Sequence, residues 1–161
     1  MTDRLHLVAV TAEHKRALLQ SRETLATLLG VTIPAEWPTF PEAFADPEAT
    51  SSPPWSGHFF IDFETQALVG NGGLVAPPDA EGLVEFGYEV AERYRNRGYA
   101  TEAGYLLIDL AFAAGARAVI AHSLAGENAS NAVMKKLGLR FVAELPNEDV
   151  GSIWQFRLDR A

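Results

Sequence analysis

The chain has 161 residues, 48% of them hydrophobic and 21% charged, which is typical of a globular protein with a core of its own. It has no cysteine, and this excludes a disulfide framework, a thiolate nucleophile and a cysteine-ligated zinc site. No two of its four histidines fall at metal-ligand spacing, so we expect no metal; they are His6, His14, His58 and His122.

The charge and hydropathy patterns also restrict the partners. A formal net charge of −8 repels nucleic-acid phosphates and favours cationic partners such as amines, so no nucleic-acid partner is expected. No apolar run approaches the ~20 residues that span a bilayer, and no membrane partner is expected. The N-terminus lacks the hydrophobic stretch of a signal peptide, which predicts a cytoplasmic location.

The first third of the chain predicts one strand, one helix and a long irregular segment. Alternation of apolar residues indicates a strand at about 4–10. Thr11 is predicted to cap a helix that ends at Gly30, with Leu18, Leu25 and Leu28 on one stripe. Residues 31–57 hold six of the nine prolines and a short predicted helix around 42–46. Their aromatic side chains are typical of a binding wall or lid rather than a disordered linker: Trp37, Phe40, Phe44 and Trp55.

The remaining elements alternate between strands and helices. Strands are predicted at about 57–63, 67–75, 82–90, 118–121, 140–145 and 151–158, the last with Trp154, Phe156 and Leu158 on its buried face. Helices are predicted from Gly98 to Gly115 and over 129–137, with Gly138 as the stop. The first of these has an apolar stripe and a polar face, which are Ala103, Leu107, Leu110 and Ala114, and Glu102, Tyr105 and Asp109. This order indicates one α/β sheet with helices on both faces, in a single domain spanning 1–161.

The segment 94–103 carries the strongest local signal. It follows a predicted strand and opens a predicted helix, where about four backbone N–H groups lack internal partners and the helix dipole is positive. Gly98 and Ala100 leave room for an anion to approach that backbone, and three arginines add positive charge: Arg93, Arg95 and Arg97. The alternative is an ordinary turn with solvated arginines. The segment is neither a Walker A loop nor a dinucleotide fingerprint.

In these residues the sequence resembles the GNAT superfamily of N-acetyltransferases. The family's pyrophosphate motif, Gln/Arg-x-x-Gly-x-Gly/Ala, is matched by Arg95-x-x-Gly98-x-Ala100, and a second block, 127–139, is similar to the family's other CoA-side motif. Both blocks most resemble the RimJ/RimL-like branch, whose known members acetylate protein N-termini. The resemblance implies the single-domain GNAT fold, α/β (α+β) in class. Its mixed, largely antiparallel central sheet has about seven strands, is splayed between strands 4 and 5, and carries helices on both faces.

The resemblance also implies acetyl-CoA as the acetyl donor and assigns residues to it. The main chain of Tyr88, Glu89 and Val90 would contact the pantetheine arm. Backbone amides from Arg95, Asn96, Arg97, Gly98, Tyr99 and Ala100 would hold the pyrophosphate. Ser130 and Asn131 would lie near the pantetheine and the thioester. The family's asparagine position falls on Glu127, with Asn128 one residue later, so either could orient CoA.

For catalysis the resemblance implies direct transfer from the thioester to an amine, with Glu85 as the first candidate for the base. His122, at the predicted end of the fifth strand, is the second candidate and Glu89 the third. The family's thiolate-protonating tyrosine is replaced here by Met134, and Ser130 is the expected substitute. The alternative roles are structural: a solvated or ion-paired strand carboxylate, a hydrogen-bonding histidine, and a serine that caps a helix.

Several functional alternatives stay open at this point. A lysine-like amine of pKa about 10.4 costs about 4.6 kcal/mol to deprotonate at pH 7, whereas an α-amine costs about 1–1.4 kcal/mol, so the strength of the base bears on the acceptor. The acceptor is a peptide N-terminus or a small amine. Aromatic residues that include Trp37 and Trp154 could wall its pocket, but core packing is the favoured role for any single one of them. The other hypotheses are a CoA-binding module without activity and an enzyme using another acyl group. A homodimer is compatible with the branch, but no segment identifies an interface.

Overall fold

The computed structural model of the protein describes residues 4–161. Its strands are β1 (Leu5–Ala9), β2 (Gly57–Asp62), β3 (Ala67–Leu74), β4 (Leu83–Val90), β5 (Ala118–Leu124), β6 (Arg140–Asn147) and β7 (Gly151–Asp159). Its α-helices are α1 (Ala12–Gln20), α2 (Arg22–Leu29), α3 (Tyr99–Ala113) and α4 (Ala129–Lys136). Short 3₁₀ turns occupy Pro41–Phe44, Pro47–Ala49 and Glu92–Tyr94, the first of them where a short helix was expected.

The seven strands form one sheet in the order β1-β2-β3-β4-β5-β7-β6. Every neighbouring pair is antiparallel except β4 and β5, which run parallel. A parallel pair requires a crossover, which here is α3, and the C-terminal hairpin β6–β7 then inserts its second strand beside β5. The predicted mixed, largely antiparallel sheet with its break between the fourth and fifth strands is confirmed.

Helices cover both faces of the sheet, as predicted. On one face, α3 and α4 pack on Phe60, Phe86 and Val119. On the other face, α1, α2 and the 31–57 segment pack on Phe59 and Ile61. Period-2 alternation along β2 sends neighbouring phenylalanines to opposite cores, each fully buried.

The predicted single N-terminal helix is wrong, because the helix is interrupted at Ser21. Thr11 caps α1 and Gly30, at φ +71°, ends α2, as expected. Between them Ser21 adopts an extended conformation and its hydroxyl accepts from the amide of Thr24 at 3.0 Å, which ends one helix and starts the next. A serine side chain competes with the helical backbone for hydrogen bonds, and the apolar stripe does not reveal that competition.

The apolar stripe predicted for α3 is only partly right. Ala103 and Leu107 are buried, but Ala114 lies beyond the helix end and is exposed, and Ala111 is buried instead. Glu102, assigned to the polar face, is 5% exposed. Its carboxylate accepts from the amide of Leu5 at 2.8 Å, so a long-range contact with β1 holds a charge inside.

The C-terminal strands are longer than predicted. Pairing with β7 carries β5 on to Leu124, opposite Ile153, so His122 lies inside the strand rather than at its end. The last hairpin likewise extends to Asn147 and Asp159.

Candidate functional site

The sheet opens between β4 and β5. The two strands pair from Leu83–Ala118 only as far as Glu85–Ile120, although β4 continues to Val90 and β5 to Leu124. Beyond that point β4 stays with β3 and β5 stays with β7. The result is a V-shaped gap with one backbone edge of β4 facing it.

The hydrogen-bond phase of β4 identifies the backbone groups on that edge. The Glu85 carbonyl accepts from Val75 and the Ala91 amide donates to Val69, so odd-numbered residues of β4 direct their backbone groups toward β3. Because the direction alternates along a strand, the backbone groups of Tyr88 and Val90 face the gap.

Of the three residues whose main chain was expected to contact the pantetheine arm, two face the gap and one does not. Tyr88 and Val90 lie on the open edge, where the carbonyl of Val90 accepts from Arg95 Nε at 3.0 Å. Glu89 has the opposite phase, so its backbone groups point toward Asn71 on β3. The β3–β4 register shows no shift over Gly70–Leu74, so this pairing contains no bulge where the gap opens.

The N-terminus of α3 lies at the end of β4. Gly98 precedes the helix at φ +83°, and no side chain among residues 4–161 caps the first amides, which begin with those of Tyr99 and Ala100. Asn96 also has a positive φ, +62°, which asparagine tolerates better than most residues. The four residues from Arg95 to Gly98 are exposed. Free amides, a positive helix end and an open approach make this turn suitable for an anion.

The three arginines of this segment have different partners. Arg93 forms an ion pair with Glu36, with Nε 2.9 Å from Oε1. Arg97 lies over the ring of Tyr94, 5.7 Å from its centroid. Within residues 4–161, neither Arg95 nor Arg97 forms an ion pair with a carboxylate, so both can contribute positive charge to an anion at the turn.

The side chain of Tyr99 is structural. It is buried, and its hydroxyl donates to Asp62 Oδ2 on β2 at 2.7 Å. Burial first, and the Asp62 carboxylate second, raise the pKa of Tyr99 to about 12. Only the backbone amide of Tyr99 is therefore available at the turn. Neither Asp62 nor Arg4, which lies 4.1 Å from the Tyr99 ring centroid, was indicated by the sequence.

Two of the candidate bases meet on the opposite side of the sheet from α3. His122 Nδ1 lies 3.1 Å from Glu85 Oε2, and His122 Nε2 lies 3.3 Å from the side-chain nitrogen of Gln155. The histidine tautomer with its proton on Nδ1 fits both contacts, because Nδ1 then donates to the carboxylate oxygen and Nε2 accepts from the Gln155 amide. Glu85 is 42% exposed and His122 is 22% exposed, which makes the carboxylate the more accessible group.

Three polar residues at the start of α4 have different contacts: Asn128, Ser130 and Asn131. Asn128 is the N-cap, because its side-chain oxygen accepts from the amide of Asn131 at 2.9 Å. Ser130 therefore does not cap the helix. Asn131 is buried, its side chain donating to the carbonyls of Leu124 and Gly126 and accepting from the Ser123 hydroxyl. These bonds make Asn131 a support of the loop rather than a free ligand.

The hydroxyl of Tyr88 lies beside Ser130. Burial raises the pKa of Tyr88, and interaction with the Ser130 side chain opposes this more weakly. Among residues 4–161, the Tyr88 hydroxyl has no hydrogen-bond partner of regular geometry. The sequence assigned only the main chain of Tyr88 to the site. Met134, in the place of the family's tyrosine, is 2% exposed and lies in the core.

A cavity of about 530 Å³ lies over β2–β4, on the face to which Glu85 also points. Its lining includes Lys15, Phe40, Phe44, Trp55, Gly87 and Glu89. Glu85 precedes Gly87 by two residues on the same strand face, about 7 Å away. The Glu89 carboxylate accepts from the amide of Thr39 at 3.2 Å.

Two of the aromatic candidates for the pocket wall pack in the cores, which is the role that was favoured for any single one of them. Trp37 is 1% exposed in the core, and its indole donates to Asn71 at 2.8 Å. Trp154 packs against Phe156 on the opposite face of the sheet. Both residues are core packing, whereas Phe40, Phe44 and Trp55 do line the cavity as expected.

Residues 4–161 contain neither a cluster of metal-ligating side chains nor a membrane-spanning helix. No group of three or more histidine, aspartate or glutamate side chains in that range is arranged to hold a metal ion. None of the helices there is long and apolar enough to cross a membrane.

Comparison with known proteins places this geometry in a family. The sequence profile described as Acetyltransferase (GNAT) domain matches residues 4–140. No curated protein sequence matches this chain significantly.

Solved structures share the fold at low identity. One, assigned as a ribosomal-protein-serine acetyltransferase from Vibrio cholerae, is 21% identical, with a TM-score of 0.66 over 99% of this chain and 96% of that one. A mutant of spermidine N-acetyltransferase SpeG from Vibrio cholerae has a TM-score of 0.72 at 13% identity, over 98% and 95% of the two chains. The Microcin C7 self-immunity acetyltransferase MccE, in complex with acetyl-CoA and AMP, has a TM-score of 0.71 at 14% identity, over 99% and 94%.

Proposed function

This chain belongs to the GNAT acetyltransferase family, and we propose that it transfers an acetyl group from acetyl-CoA directly to a primary amine. The amine is a protein N-terminus or a small molecule, and the motif resemblance favours the RimJ/RimL-like branch. A cytoplasmic location is part of the same proposal.

One observation carries this proposal. Pairing between β4 and β5 stops at Glu85–Ile120, and the unpaired edge of β4 leads to the uncapped N-terminus of α3. An extended chain with amide groups can pair with the free backbone of Tyr88 and Val90 as an added strand. A diphosphate fits the amides after Gly98, with Arg95 and Arg97 beside it. An open strand edge followed by an anion site is the combination that the pantetheine arm and pyrophosphate of CoA would need.

When bound, acetyl-CoA supplies an acetyl group activated as a thioester. The protein must then accept a proton from the attacking amine, and Glu85 is the base that we propose. Its carboxylate is the most exposed of the candidate bases, and among residues 4–161 its Oε1 forms no hydrogen bond. His122 holds the other oxygen, Oε2, in place, and Gln155 contacts His122 Nε2 and so keeps the imidazole oriented.

We propose Ser130 and Tyr88 as the hydroxyl groups that serve the leaving thiolate. They meet on the α4 side of the gap, and the capping role left to Asn128 frees the Ser130 hydroxyl for this task. A tyrosine phenol is protonated at neutral pH and can donate a hydrogen bond, and burial raises the pKa of Tyr88 further in that direction.

The acceptor amine enters through the cavity beside Gly87 and Glu89. A buried carboxylate there attracts a cationic amine, as does the net charge of −8. Structural neighbours named as spermidine and ribosomal-protein acetyltransferases use different amines, so they support an amine acceptor without selecting one.

The test combines CoA binding with turnover. Calorimetric titration should show CoA binding, and Asn96→Asp should weaken it about tenfold or more, because it adds a negative charge to an exposed position of the anion-binding turn. Asn147→Asp, which makes the same change in the β6–β7 turn, is the matched control. The absence of CoA binding by the wild type would refute the proposal.

Thiol release from acetyl-CoA with a panel of amines tests catalysis. We expect turnover with at least one of N-terminal peptides, polyamines or amino acids. CoA binding without turnover across that panel would favour the non-catalytic module. Competition among acyl-CoAs, with a preference for succinyl-CoA for example, would replace the acetyl group in the proposal by another.

A further inference from the structure

The amine-entry cavity contains a buried cation that the proposed reaction does not use. Lys15, on α1, is 8% exposed and lines the cavity. Its Nζ lies 3.3 Å from the carbonyl oxygen of Asp46 and 3.5 Å from that of Ala49, both long contacts for a charged donor. No carboxylate among residues 4–161 forms an ion pair with it.

The rest of the cavity wall does not neutralise this charge. Glu89 is the other charged residue of the lining, and its two oxygens are directed to the amide of Thr39. Burial lowers the pKa of His58, against a weaker opposing effect of the Ser56 backbone, so this histidine is neutral at pH 7. The Ser56 hydroxyl has no hydrogen-bond partner within the described chain. His58 Nδ1 likewise has no hydrogen-bond partner there, so the wall offers one cation and two unused polar atoms.

A buried ammonium group with only two long carbonyl contacts is poorly compensated for its lost hydration. An anionic group delivered by a ligand would compensate it, and the ligand would gain a charge-assisted hydrogen bond in a site sheltered from water. The aromatic lining, with Phe40, Phe44 and Trp55, accommodates an apolar body between the two charged ends of such a ligand.

We infer that the acceptor is a primary amine that also carries a carboxylate or phosphate group, and that Lys15 binds this group. The inference rests on the proposed function and narrows its substrate class. The amine is directed to Glu89 and the Glu85 side of the cavity, and the acid end to α1.

Matched acceptors test this with the wild-type protein alone. Thiol release from acetyl-CoA is measured with phenylalanine, phenylalaninamide and phenethylamine, and with ethanolamine against O-phosphoethanolamine. Every compound in a set is a primary amine, and the members differ in whether they carry the acidic group. The two sets therefore distinguish carboxylate from phosphate. The acid-bearing member should have a KM lower by roughly ten- to a hundredfold.

Variants then assign the preference to Lys15. Lys15→Gln can still donate to the two carbonyls but lacks the charge, and it should abolish the preference, while Lys15→Arg should keep most of it. Arg16→Gln removes the same charge from the next, exposed residue of α1 and should change nothing. Thermal shift with the acid-bearing compounds gives a readout that does not need turnover.

Failure of the inference is distinguishable from failure of the proposed function. If CoA binds and neutral amines react as well as acidic ones, or if the preference survives in Lys15→Gln, the inference is wrong and the acetyltransferase proposal stands. If no amine reacts, stabilisation of the wild type but not of Lys15→Gln by the acidic compounds supports the inference, and equal stabilisation of both overturns it.

Discussion

Arg4 contacts the turn before α3 that we propose as the anion-binding turn: its Nη2 donates to the carbonyl oxygen of Arg97 at 3.0 Å. The same guanidinium lies 3.0 Å from Glu102 Oε1 and 4.1 Å from the centroid of the Tyr99 ring. A residue just before β1 thereby fixes a turn more than ninety positions later. Because the turn must present its amides in one direction, we propose Arg4 as a positioning residue for CoA binding.

Arg4→Met should therefore weaken CoA binding about tenfold and lower the free energy of unfolding by about 1–3 kcal/mol, since buried Glu102 loses its ion pair with Arg4. The KM for acetyl-CoA should rise while the KM for the amine stays the same. Arg4→Lys should recover part of the loss, and Arg160→Gln, at the exposed C-terminus, is the control. An unfolding defect without any change in CoA affinity would show that Arg4 serves stability alone.

Glu85→Gln should reduce kcat by about 10²–10⁴, the usual contribution of a general base, with the affinity for CoA unchanged. His122→Asn should have a smaller effect, about tenfold, because it removes the orienting partner and leaves the carboxylate. Steady-state kinetics on the two variants checks this order, and Glu81→Gln, in the exposed turn before β4, is the matched control. A larger loss in His122→Asn than in Glu85→Gln would make the histidine the base.

The turn that we propose to bind CoA could be recognised from sequence because its geometry depends on local features. A glycine of positive φ, a helix start and a strand before it lie within one continuous segment, and Gly98 and Ala100 were identified from that segment alone. The cap of α4 is similarly local, although the sequence analysis considered only Ser130 for this role, and the cap is Asn128. An N-cap needs the right backbone angles as well as the right side chain, and Asn128 has them.

The rest of the site depends on contacts between distant segments, which periodicity does not encode. His122 meets Glu85 across two strands, and Lys15 meets the 3₁₀ turns thirty residues later. The two tryptophans that were candidates for the pocket wall, Trp37 and Trp154, face the cores because strand pairing and loop path fix their direction. Composition could identify them as apolar, but not which surface they cover.

Alanine substitutions at two glycines of the sheet should affect different properties, one the stability of the fold and the other acceptor binding. A Cβ added at Gly72 would lie 2.7 Å from Tyr88 Cα, so Gly72→Ala should destabilise the fold by about 2–4 kcal/mol. A Cβ at Gly87 meets nothing within 4 Å but projects into the cavity, so Gly87→Ala should preserve stability and raise the KM for the amine severalfold. Urea unfolding and acceptor kinetics on both variants check this. Equal destabilisation of the two would contradict the strand geometry.

Ser130→Ala should lower kcat about ten- to a hundredfold if its hydroxyl assists the leaving thiolate, with little loss of stability, because Asn128 caps the helix. Tyr88→Phe removes a buried hydroxyl without a regular partner and should leave the free energy of unfolding unchanged or slightly higher. Use of an ester donor with a better leaving group should reduce the effect of Ser130→Ala. A defect that persists undiminished would place Ser130 outside the thiolate step.

The bond from Tyr99 to Asp62 predicts a loss of stability at alkaline pH. The pKa of Tyr99 is raised from 10.0 to about 12 in the folded protein, so this phenol stabilises the fold fully below about pH 10, and the contribution disappears as pH rises through about 12. Tyr99→Phe leaves Asp62 Oδ2 without its donor and should cost about 1–3 kcal/mol at pH 8. At pH 11 the difference between wild type and variant in the free energy of unfolding should be smaller. Tyr105→Phe, which removes an exposed phenol from the same helix, is the control, and a gap of constant size between pH 8 and pH 11 would rule out the linkage.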